Sequence, residues 1–232
     1  MSEFFKFEDP SRDFPFYKHN PRISKMAWFV LLLLVPISYL VYMIISFKSE
    51  LISSLAFFLI MLIPLLYYSH WDYSLMFRKP TRKEIKLAVL LFIGYMIYAI
   101  AIGNVLDFVG LTAPVEESTL EVTLETTVSL VFSMMGEELM KFIPMMFLLR
   151  LFYKYTENRK ASTVLSSVLI MIYFGLLHYD PSSTLLIEVL LTQGLGTIFE
   201  LYGYIKTKNL FVPYLSHLLT DAFIFILFLI GF

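Results

Sequence analysis

The chain has 232 residues, 58% of them hydrophobic and 17% aromatic, with a mean hydropathy of +0.74 and a formal net charge of −1. Soluble domains are about 45–50% apolar, so this composition excludes a soluble globular domain and indicates an integral membrane protein. The missing basic surplus excludes a nucleic-acid partner. The absence of cysteine excludes disulfides, a thiolate nucleophile and Cys-ligated zinc or iron–sulfur sites.

Residues 1–25 mix charges and prolines (Pro10, Pro15, Pro21) with Phe4, Phe5, Phe7, Phe14, Phe16 and Tyr17. They lack the short basic region followed at once by an apolar run that marks a signal peptide. They read as a cytoplasmic tail whose aromatics lie on the membrane surface. Apolar runs at 26–47, 51–68 and 85–106 are each about long enough for the ~30 Å hydrocarbon layer. Between the second and third lie Arg78, Lys79, Arg82 and Lys83, with Pro80 stopping any helix. Residues 107–127 carry Asp107, Glu116, Glu117, Glu121 and Glu125 and no Lys or Arg. Further spans are expected at 128–152, 163–179, 185–205 and 210–232. The basic turns among them hold Lys154, Arg159 and Lys160, and then Lys206 and Lys208. The fold class is therefore all-α: a polytopic transmembrane helical bundle of about seven spans (six to eight) over residues 26–232. No long repeat or second domain is visible. Basic residues mark the N-terminus and the loops after spans two, four and six, so the positive-inside rule puts the N-terminus in the cytoplasm.

Ionisable groups inside the apolar runs carry the functional signal, because each costs roughly 2.5–3.5 kcal/mol at the centre of a bilayer. The fourth run holds Gly136-Glu137-Glu138-Leu139-Met140-Lys141. The bland alternative for it is a Lys–Glu pair at i, i+3 or i, i+4 that only holds helices together. The fifth run ends in Phe174-Gly175-Leu176-Leu177-His178. The seventh holds His217 and Asp221, four apart and so on one helix face. Glu188 and Glu200, with Gln193 between them, read as structural or vestibule-lining residues.

Counted away from the turn between spans four and five, Glu137 and His178 fall at the same depth in an antiparallel helix pair, and side by side. The same arithmetic leaves His217 on the order of 20 Å from His178 in depth if every helix is straight. Span six must then be short, tilted or broken, which Gly194, Gly196 and Gly203 would permit, or His217 belongs elsewhere. A carboxylate with two imidazoles is equipment for activating water. Glu supplies a general base, and imidazole N–H groups can hold a tetrahedral oxyanion. The same set could instead ligate zinc through His178, His217 and Glu137, with metal-bound water as nucleophile. Spacing leaves both open.

Glu137-Glu138, Phe174-x-x-x-His178 and His217-x-x-x-Asp221, in this order on successive spans, resemble the three motifs of the CPBP family (the Abi, or CAAX-protease-and-bacteriocin-processing, family). The stretch from Gly194 to Asp221 is similar too, so the resemblance covers the C-terminal half, 128–232. It implies an intramembrane endopeptidase of a bacterial plasma membrane, acting on a membrane-associated peptide or prepeptide among membrane lipid. Carried over by motif, Glu137 and His178 would activate water, His217 and Asp221 would stabilise the oxyanion, and Glu138 would support them. A divalent metal such as zinc stays open. The family's first motif reads Glu-Glu-x-x-x-Arg, whereas this chain has Phe142 at the Arg position and a cation one residue earlier, at Lys141. That spacing resembles the Glu-Glu-x-x-Lys of the PrsW-like glutamate proteases. It keeps in play a non-proteolytic regulator or bacteriocin-immunity protein that binds a partner helix. A small transporter is the third reading, disfavoured by the missing repeat symmetry.

Overall fold

The computed structural model describes residues 3–18, 23–113 and 122–230; Glu116, Glu117 and Glu121 of the acidic loop, and Pro21, lie outside them. The helices are α1 (Lys25–Ser46), α2 (Glu50–Tyr68), α3 (Arg82–Phe108), α4 (Leu124–Thr156), α5 (Arg159–Leu177), α6 (Leu186–Val189), α7 (Ile198–Thr207) and α8 (Phe211–Leu229). No strand occurs among the described residues. Among the described residues, four helices, α1, α2, α3 and α5, are long and apolar enough to cross a bilayer. α4 has 33 residues, about 50 Å at 1.5 Å per residue, and carries the buried charges. The chain is a membrane-embedded helical bundle, as its composition demands.

Side-chain caps set the helix starts. Ser24 accepts from the Ala27 N–H, and Thr81 and Glu84 form a reciprocal capping box at the start of α3. Ser49 donates to Glu125 at 2.6 Å, tying the α1–α2 link to the start of α4. At the opposite face the basic ends gather. Arg150 donates to the Ile23 carbonyl at 3.1 Å, and Arg78 to the Thr207 carbonyl at 3.2 Å. The core runs between α1, α2, α4 and α5 through Leu31, Met61, Leu139, Ile143, Met146 and Ile170. Gly136 allows the closest approach: a Cβ there would stand 2.3 Å from the Phe57 ring.

Two sequence expectations change. The N-terminal aromatics do not all lie on the membrane surface: Phe14, Phe16 and Tyr17 are buried against the bundle. They are drawn in by Glu8, which binds Arg159 at 2.6 Å and Lys208 at 2.5 Å, while Asp13 binds Arg159 at 2.9 Å. A buried acid needs its cations, so the tail follows Glu8 inward.

The sixth apolar run, expected as a span at 185–205, is helical but irregular. α6 passes through a π-helical turn, Leu190–Gly194, and, after a turn at Thr197, into the ten-residue α7, with right-handed helical backbone at each junction. The irregular stretch lies at a backbone-to-backbone crossing. A Cβ on Gly175 would stand 3.1 Å from the Gly194 Cα, and one on Gly194 2.9 Å from the Met171 carbonyl oxygen. Small residues let membrane helices meet at this range. Thr192 and Thr197 bond back to the carbonyls of Glu188 and Gln193, which favours bending.

Candidate active site

α4 presents its two adjacent carboxylates to different neighbours, because consecutive residues are turned ~100° around the axis. Glu138 points into the protein. Its Oε1 accepts from Lys141 Nζ at 2.6 Å and from His217 Nδ1 at 2.9 Å. Lys141, one helical turn on, also donates to Glu200 of α7 and lies 4.4 Å from the centre of the Phe174 ring. The Glu138 and Lys141 side chains are each 4% exposed. The cavity beside them is about 10 Å³, at the lower limit for one water. This half of the site is a sealed ion cluster.

Glu137 faces the other way. Its side chain is 23% exposed, and its Oε2 lies 3.7 Å from His217 Nε2. Asp221, 27% exposed, reaches the same Nε2 at 3.8 Å. His217 therefore joins the layers. Nδ1 donates to Glu138 in the sealed layer, and Nε2 faces two carboxylates in the open one, at separations that suit a bridging water. Tyr39 and Tyr42 of α1 lie within electrostatic reach of Glu137, and Tyr95 of α3 within reach of Glu200 and Asp221.

His178 caps α5. Its Nδ1 lies 2.9 Å from the Phe174 carbonyl oxygen. A carbonyl only accepts, so Nδ1 carries the proton and Nε2 is left as the free lone pair. The spacing Phe174-x-x-x-His178 thus satisfies one of the last-turn carbonyls of α5 and fixes a tautomer. The His178 ring packs on Phe174 with centroids 4.7 Å apart, and Phe174 in turn meets the His217 ring at 6.4 Å. The structure brings Glu137, Glu138, His217 and Asp221 together and sets His178 at their edge. Between Glu137 and His178 there is no ion pair among the described residues.

Glu200 takes the structural of the two roles the sequence allowed it: it is the second acceptor of Lys141, 3.7 Å from His217 Nδ1, a partnership absent from the sequence expectations. A cation buried beside one carboxylate still has donors to spare, so Lys141 was itself a signal for a second acid at the same depth. Glu188 does behave as a structural group, accepting from the Ala113 N–H at 3.0 Å. Phe142, at the position of the family's arginine, is packed edge-on against Tyr204 at 5.4 Å. The cation has moved to Lys141, where Glu200 meets it.

Residues 119–223 match the family model described as Type II CAAX prenyl endopeptidase Rce1-like. That segment, a little under half of the chain, is similar to the family. The match spans α4 to most of α8, and with them every motif named above, in agreement with the CPBP resemblance. No curated protein and no solved structure matches the chain.

Glu138, Glu200 and His217 offer one ligand atom each within 4.8 Å of one another, a set that could hold a metal ion. It shares only His217 with the set expected from the sequence. Both of its carboxylates are already bound by the Lys141 ammonium, so a divalent ion would have to displace a buried cation. The donor set as folded is that of an internal salt bridge and fits a metal poorly.

Proposed function

We propose that this protein is an intramembrane endopeptidase that hydrolyses a peptide bond in a membrane-associated peptide by water activated at Glu137. The reading is carried by the two layers of the site: Glu137, Asp221 and the Nε2 of His217 share the accessible side, with Glu138, Lys141 and Glu200 locked behind them. Glu137 takes a proton from the water as it attacks the carbonyl carbon. His217 Nε2, when protonated, donates to the developing oxyanion, with Glu138 orienting the ring through Nδ1 and Asp221 favouring the charged imidazole. His178 presents its free Nε2 from the end of α5. It accepts a hydrogen bond from the attacking water, and protonated Glu137 passes its proton to the leaving amine as the C–N bond breaks. The Rce1-like match supports a CAAX-type endopeptidase in general; the peptide itself is a proposal from chemistry alone. The basic ends of the helices face the cytoplasm in this reading.

The test is cleavage of candidate membrane peptides by the reconstituted protein. Glu137→Gln and His178→Ala should each lower the rate at least a hundredfold, with thermal stability close to wild type. Unchanged cleavage in both variants removes the assignment. A cellular phenotype retained by Glu137→Gln would instead favour the non-proteolytic regulator.

A further inference from the structure

We propose that the cavity between the start of α1 and the end of α4 binds the headgroup of an anionic phospholipid. The cavity, about 430 Å³, is lined among others by Lys18, Lys25, Trp28, Phe147, Arg150 and Lys154. Among the described residues, four cations thus face one space whose only lining acid is the exposed Glu157. Lys18 is partly engaged by Glu3 at 2.9 Å, and Arg150 spends one N–H on the Ile23 carbonyl; Lys25 and Lys154 have exposed side chains. The start of the 22-residue α1 adds the positive end of its dipole.

Trp28 is 2% exposed and lines the cavity, so its indole reports on whatever occupies the space. The apolar surface continues outward along α1 through Met26 and Phe29, both strongly exposed, where acyl chains would lie. A free phosphate answers the charge equally; the place of the cavity at the first turn of α1, a helix long and apolar enough to cross the bilayer, is the level of the lipid headgroups and favours a lipid.

The chain has two tryptophans, Trp28 and Trp71, so Trp71→Phe in the full-length protein makes Trp28 the only indole reporter. In detergent micelles, titration with short-chain phosphatidylglycerol should give a saturable change in Trp28 emission. Phosphatidylcholine of the same chain length and inorganic phosphate should give none over the same range. Lys25→Gln and Lys154→Gln should each weaken phosphatidylglycerol binding about fivefold, the effect of ~1 kcal/mol per basic residue near anionic headgroups. Emission of the lipid-free variants reports whether the cavity is intact. No response to phosphatidylglycerol, an equal response to phosphatidylcholine or to inorganic phosphate, or undiminished binding in the double variant would each overturn the proposal. None of these readouts depends on peptidase activity.

Discussion

Replacing Lys141 by Met should be among the most destabilising single changes in the chain, and replacing Glu200 as well should restore part of the loss. The ammonium is bound by Glu138 and Glu200 where the lysine and Glu138 are only 4% exposed and Glu200 13%, so solvent screens little of the interaction. Removing one partner from a buried ion pair typically costs about 3–5 kcal/mol, because the other charge is stranded. Here two carboxylates are stranded, with His217 their nearest remaining donor. For a chain of this size such a loss lowers the melting temperature on the order of 10 °C. Glu200→Gln in the Lys141→Met background removes one stranded charge and should return roughly 1–2 kcal/mol, the usual scale of coupling between contacting groups. Thermal unfolding in detergent, followed by far-UV circular dichroism, completes the double-mutant cycle. If Lys141→Met melts within about 2 °C of wild type, or if the second substitution only adds to the damage, the cluster is not the internal salt bridge described.

Gly136→Val should separate α2 from α4, since its first side-chain carbon would overlap the Phe57 ring; overpacking of this kind costs about 1–3 kcal/mol, and Phe57→Ala should recover part of the melting temperature. The N-terminal clasp should be acid-labile. Burial pushes the Glu8 carboxyl up, but hydrogen bonds from Arg159, Lys208 and the Phe5 N–H outweigh it and hold the group below its ordinary 4.5. A depressed acid stabilises the fold above its unfolded pKa and loses that contribution as pH falls through the folded one. The melting temperature measured at each pH should therefore fall as pH drops below the ordinary 4.5 of a free glutamate, and Glu8→Gln should flatten that fall while lowering the melting temperature at neutral pH. Dialysis against a chelator should leave both melting temperature and peptide cleavage unchanged, because Glu138 and Glu200, the carboxylates whose ligand atoms converge with His217 among the described residues, are already neutralised by Lys141; loss of cleavage restored by zinc would contradict this.

The helices were legible because each apolar run meets the length the bilayer imposes, and His217 with Asp221 because four residues make one turn. The depth arithmetic that seemed to strand His217 was sound for straight helices and pointed at the segment that is irregular. Nothing in the sequence fixes a π-helical turn at Leu190–Gly194; it lies where Gly175 and Gly194 meet across two helices. The partnership of Lys141 with Glu200 is likewise hidden, since it joins residues 59 apart on α4 and α7. For the same reason the inward path of Phe14 and Tyr17 was hidden: Glu8 reads as a tail acid until Arg159 and Lys208 are seen on either side of it.

The displaced cation shows how such a site tolerates change. Lys141 stands at i+3 from Glu138 and i+4 from Glu137, within reach of either by helix geometry alone, and position 142 can no longer supply a charge because Phe142 is packed on Tyr204. What selects Glu138 is the acid on the far side: Glu200 draws the ammonium toward α7, on the sealed flank of α4, and away from Glu137. Glu137 is thereby left without a fixed cation, its nearest cationic partner the imidazole of His217 at 3.7 Å. A carboxylate free to take up a proton is what general-base chemistry requires, whereas one clamped by an ammonium and an imidazole is suited to holding a ring in place. Two adjacent glutamates of identical chemistry thus acquire different work from which side of one helix the lysine is pulled.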